Sequence, residues 1–108
     1  MIILNLSLSE ECNRRLEFKE VFIGQRLRNH MIRKADVMDH EFCGVLCFME
    51  HNCVSYNLMT INENGKHKCE LNNATQEHHE EDLKKNSNYE YYGAKVRGSQ
   101  KSDFKFFL

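Results

Sequence analysis

No stretch of this 108-residue chain approaches the ~18–20 consecutive apolar residues that a membrane-spanning helix needs. Proline is absent, and there is no internal repeat or low-complexity segment to divide the chain. Neither sign of charge dominates: 15 Lys and Arg stand against 16 Asp and Glu, for a formal net charge of −1. That balance supplies no global field to attract nucleic acid or an anionic membrane. The first residues lack a basic start as well. Met1–Leu8 is apolar but too short for a secretory signal, and reads as a leader remnant or a first strand. At this length the chain makes one domain. It can bury roughly two-thirds of its unfolded surface, so cross-links matter to its stability.

Cross-links are what the sequence offers. Four of the five cysteines follow the spacing Cys43-x3-Cys47-x5-Cys53-x15-Cys69, and Cys12 stands alone upstream. Within Asp36–His51 the apolar residues Phe42, Val45, Leu46 and Met49 recur at helical spacing, with Cys43 and Cys47 beside them. Asp36 or Asp39 can cap the helix, and Glu41 suits the positive end of its dipole. Asn52 is placed to end the helix in a left-handed conformation.

The flanking segments have strand character. Leu16–Ile32 divides into two short strands, broken at Gly24 and at Arg28–His30. After Cys53, residues Val54, Tyr56 and Leu58 alternate with Ser55 and Asn57, and Asn64-Gly65 signals a hairpin. A two-residue turn there sets Cys69 opposite Thr60, on the Val54, Tyr56 and Leu58 face, with Leu71 on that face too. Ala74–Lys85 reads as a charged surface loop with at most one helical turn, and Tyr89–Val96 as a closing strand.

Four cysteines allow three pairings. Cys43 and Cys47 are one turn apart on a helix, roughly 6 Å along the axis with near-parallel Cβ directions, a poor match to disulfide geometry. Cys53 follows the helix end and so lies near Cys47, which leaves Cys69 for Cys43. The expected bridges are therefore Cys47–Cys53 and Cys43–Cys69. A zinc site would use ligand pairs two to four residues apart on knuckles; only Cys43 and Cys47 come near that spacing, and they sit mid-helix. No local signature pairs a cysteine with His30, His40, His51 or His67 as a catalytic thiolate would require.

These residues resemble the PAN/apple domain family. Its members carry a helical C-x3-C, a third cysteine opening a C-x-S-x-N strand, and a fourth just before Leu-Asn. Here these are Cys43–Cys47, Cys53-Val54-Ser55-Tyr56-Asn57 and Cys69-Glu70-Leu71-Asn72. Leu27–His30 and Tyr89–Tyr92 also fit, and the likeness covers about residues 12–96. It is closest to invertebrate extracellular PAN domains that precede EGF-like repeats. The resemblance implies an α+β fold: a curved antiparallel sheet packed on one helix and stapled by the two bridges. It also implies a non-catalytic, secreted recognition or adhesion module for protein or glycan ligands, with no cofactor. The alternative from another class is a small zinc-stabilised intracellular domain. Residues 1–11 then form an N-terminal segment and residues 97–108 a tail ending in Phe104, Phe106, Phe107 and Leu108. No cysteine follows Cys69, so Cys12 is expected to be unpaired or to bridge to another chain.

Several surface features are candidates for ligand contact. Arg26, Arg28, Arg33 and Lys34 form a basic group suited to a sulfated glycan. Tyr89, Tyr91 and Tyr92 offer rings for stacking on sugar, although their alternation suits a strand with Tyr89 and Tyr91 on one face, and sheet packing is the favoured reading. Asn73-Ala74-Thr75 is an N-glycosylation sequon at a loop start, and Asn5-Leu6-Ser7 is a second. His78–Asp82 reads as a solvated acidic loop, not a metal site, because adjacent side chains do not converge on one ion.

Overall fold

A computed structural model describes residues 16–95. The expectations for Met1–Leu8, Asn5, Cys12 and the tail after Lys95 lie outside the described residues.

The elements run β1 (Glu20–Leu27), β2 (Met31–Val37), α1 (His40–Met49), β3 (Ser55–Met59), β4 (His67–Asn72) and β5 (Leu83–Gly93), with a 3-10 turn at Glu80–Asp82. All strands join one antiparallel sheet in the order β1-β5-β3-β4-β2. The chain is α+β, as expected. Gly24 does not break the first strand. It adopts φ +75° inside β1, where the register with β5 shifts between Ile23 and Gln25: Gly24 alone stands opposite residues 86–89, so the extra residues belong to β5 and the first strand runs on through the glycine. The break falls at residues 28–30, where Asn29 takes φ +76°. Strand β2 then extends to Val37, beyond the expected end at Ile32, and β5 begins at Leu83, six residues before Tyr89.

Asp39 caps α1, its carboxylate accepting the Glu41 N–H at 2.9 Å. At the other end Asn52 is not left-handed. Glu50 turns to extended backbone instead, its N–H bonding back to the carbonyls of Leu46 and Cys47. The chain then turns tightly, with the Cys53 N–H donating to the Glu50 carbonyl at 3.0 Å.

Both expected bridges form, with Cα–Cα distances of 5.7 Å for Cys43–Cys69 and 5.2 Å for Cys47–Cys53, inside the usual range. The four sulfurs are fully buried between helix and sheet and are unavailable to zinc. Gly44 permits the close approach, since a Cβ there would stand 3.1 Å from the Tyr56 hydroxyl. The core on this side joins Val37, Tyr56, Leu58 and Leu71 to the cystines, with Phe18 and Tyr92 packed against them.

The β3–β4 hairpin shows why even shifts of register are harmless to a face. Asn64 and Gly65 take φ 56° and 80°, and Glu63 pairs with Lys66, as a two-residue turn demands. Two extra residues on the β3 side then move Cys69 from Thr60 to Leu58. The side-chain period is two, so Cys69 and Leu71 keep the helix face.

Candidate functional site

Strand β3 is buried on both faces, so Ser55 and Asn57 are not solvated as simple alternation suggests. The long β1–β5 ribbon curls across their side of the sheet. Asn57 bonds to the Leu27 backbone, and the loop after β4 covers Ser55, whose hydroxyl donates to the Ala74 carbonyl at 2.6 Å. In this polar layer the Glu70 carboxylate, 2% exposed, takes two hydrogen bonds from Arg26, from Nε at 2.9 Å and Nη2 at 2.5 Å. Asn57 donates a third at 3.1 Å. The guanidinium also lies 4.6 Å from the Tyr89 ring centroid.

This arrangement separates the four basic residues. Arg26 is consumed by the interior. Arg28 is exposed in the β1–β2 connection, while Arg33 and Lys34 are consecutive strand residues and so point to opposite faces. Arg33 reaches Glu50 at 3.4 Å, and Lys34 stands across from Glu70. They form no single cationic patch.

The tyrosines also divide. Tyr89 and Tyr91 are buried on the polar side, where the Tyr91 hydroxyl donates to Gln76 Oε1 at 2.8 Å and accepts the Gln76 N–H at 2.9 Å. Their rings offer no platform to a sugar. Tyr92 lies on the helix side, half-buried and stacked on Tyr56 at 4.9 Å. Asn73 is exposed, its backbone N–H held by the His30 carbonyl at 3.0 Å.

The helix holds a surface that periodicity alone misassigns. Cys43 and Cys47 occupy its inner side, so Phe42, Val45 and Met49 face outward although they share helical spacing. At about 100° per residue their stripe is centred roughly 150° from the cysteines. The signal was present: two bridged cysteines one turn apart define the inner face before any apolar residue does. Met38 is 77% exposed, Met49 71% and Phe42 49%, and Val45 completes the stripe. At its N-terminal end, a shallow groove of about 450 Å³ runs between the end of β2 and the first turns of the helix. Met38, Phe42 and Val45 line it, together with the acidic residues Asp36, Asp39 and Glu41.

With that architecture in place, the sequence profile of the PAN domain family matches residues 18–96. The chain belongs to the PAN domain family. No curated protein matches it closely enough to serve as a relative. PAN domains are non-catalytic interaction modules that bind proteins or carbohydrates. Extracellular settings and disulfide bonds are typical of them, and this PAN domain has two bridges. Among its described residues, no helix is long and apolar enough to cross a membrane.

Proposed function

We propose that this PAN domain is an extracellular recognition module whose ligand is a protein that docks on the outer face of α1. The observation that carries this reading is the exposed stripe of Met38, Phe42, Val45 and Met49. The two cystines already hold the helix to the sheet, so these outward side chains add nothing to that packing. Clustered exposed apolar side chains mark interaction surfaces. Asp36, Asp39 and Glu41 at the groove favour a partner with basic residues around an apolar anchor. Buried disulfides support an oxidising, extracellular compartment. A glycan at Asn73 fits that setting, and expression in a glycosylating host should add a mass that Asn73→Gln removes.

Binding to arrays of extracellular proteins and of glycans, read side by side, tests the assignment. The expected result is a protein ligand lost by Phe42→Asp or Val45→Asp and retained by Arg28→Ala with Lys34→Ala. Salt-sensitive heparin binding that the two helix variants leave intact would overturn it, and would return the function to the basic residues.

A further inference from the structure

We propose that His30, His79 and Asp82 form a binding site for a first-row divalent cation, with zinc the best match to the donor set. The three residues come from two connections that the fold brings together. His30 closes the β1–β2 turn, while His79 immediately precedes the 3-10 turn that leads into β5 and Asp82 is the last residue of that turn. One potential ligand atom from each lies within 4.8 Å of the other two. His30 Nε2 and Asp82 Oδ2 are 2.8 Å apart, and the His30 and His79 ring centroids 4.4 Å. Ligand atoms of a four-coordinate zinc, at bonds of about 2.0–2.2 Å, stand roughly 3.3 Å from one another. Binding then requires the side chains to rotate so that the ligand atoms draw in from at most 4.8 Å to that spacing. An ion would take the place of the direct contact between His30 Nε2 and Asp82 Oδ2.

The surroundings hold the three residues in place. The Asp82 N–H donates to the His79 carbonyl at 2.9 Å, and the Asp82 carbonyl accepts the Arg28 N–H at 2.9 Å. The His79 N–H donates to Gln76, and the His30 carbonyl accepts from Asn73, both at 3.0 Å. Asn29 Nδ2 donates to Asp82 Oδ1 at 2.9 Å, the outer-shell bond that orients a ligating carboxylate. His30 and Asp82 side chains keep 18% of their surface exposed, which leaves a side open to a water or an exogenous fourth ligand. Two imidazoles and one carboxylate suit zinc and its neighbours in the series. Calcium and magnesium, which prefer six or more oxygens, are poorly served. His78 and Glu80–Glu81, adjacent in sequence, are not in the cluster. The ligands that a reading of residues 78–82 alone cannot assemble are completed by His30, from a different connection.

Calorimetric titration of zinc chloride into the oxidised protein tests the site. One ion should bind per chain, and His79→Ala should weaken binding by about tenfold or more. Asp82→Asn should do the same, with near-ultraviolet circular dichroism reporting whether the variant keeps its tyrosine packing. His40→Ala, His51→Ala and Cys12→Ser should each retain the wild-type affinity. Absence of saturable binding, equal loss in His51→Ala and His79→Ala, or loss in Cys12→Ser would each overturn the assignment.

Discussion

The Asn57 carboxamide grips Leu27 as a neighbouring strand would. Its Oδ1 accepts the Leu27 N–H at 2.9 Å, and its Nδ2 donates to the Leu27 carbonyl at 2.8 Å. Leu27 ends β1, a strand separated from β3 by β5 in the sheet. The contact shows how far the sheet curls: an edge strand bends until its last residue lies over a central one. A buried polar layer forms inside that curl, and several measurable consequences follow from it and from the staple.

The Arg26–Glu70 pair should behave as an interior ion pair. Arg26→Met leaves a buried carboxylate with, among the described residues, Asn57 as its remaining side-chain donor, and should cost about 3 kcal/mol. Adding Glu70→Gln removes the charge but keeps an acceptor for Asn57, and should recover a large part of that loss. Urea denaturation of both variants checks this; equal costs for the single and double variants would contradict it.

Gly93 and Tyr91 should be energetically coupled. A Cβ at Gly93 would lie 2.6 Å from the Tyr91 hydroxyl and 2.9 Å from Gln76 Oε1, so Gly93→Ala must displace the clamp between them. The expected cost is about 1–3 kcal/mol in the wild type. It should be clearly smaller in a Tyr91→Phe background, where the clashing oxygen is gone. A double-mutant cycle with no coupling would refute the account.

The two bridges should differ in worth. Cys43–Cys69 closes a separation of 26 residues and Cys47–Cys53 one of 6. On chain entropy, losing the first should cost about 3–4 kcal/mol and the second about 2 kcal/mol. Paired Cys→Ser variants compared by thermal or urea unfolding give the order directly, and a reversed order would count against it.

Alkaline pH should destabilise the fold through its tyrosines. Burial, then the nearby Glu90 carboxylate, pushes the Tyr56 hydroxyl up to about 12. Burial raises Tyr89, Tyr91 and Tyr92 as well. The unfolded chain releases these protons first, near the ordinary value of about 10. Their contribution is therefore complete below about pH 10 and fades as pH rises from there toward 12. For Tyr56 alone the loss is on the order of 2 kcal/mol. Unfolding midpoints that stay level from pH 9 to 11.5, with tyrosinate absorbance rising near 10 in the native protein, would contradict this.

The staple was legible in the sequence because its logic is local. Helical spacing sets the Cβ directions of Cys43 and Cys47, the short reach to Cys53 selects one partner, and strand parity puts Cys69 on the helix face. Parity also survived a register shift of two residues between Thr60 and Leu58. The ligand-contact candidates were less legible. Arg26 reads as a surface cation until its partner Glu70, 44 residues away, is known. Tyr91 reads as an available ring until the Gln76 loop closes on its hydroxyl.

Sequence alone thus determined the number and order of the elements and both disulfides, through short-range periodicity and cysteine spacing, while the α+β class and the family came from the resemblance of the cysteine motifs and their flanking residues. Tertiary structure decided which faces of those elements meet water. The curl of the β1–β5 ribbon buries Asn57, Glu70 and Tyr91, and the cystines turn Phe42, Val45 and Met49 outward. The same fold sets His30 beside His79 and Asp82. Whether a polar side chain is buried and paired depends on what the rest of the chain lays over it, and that is a property of the packed sheet.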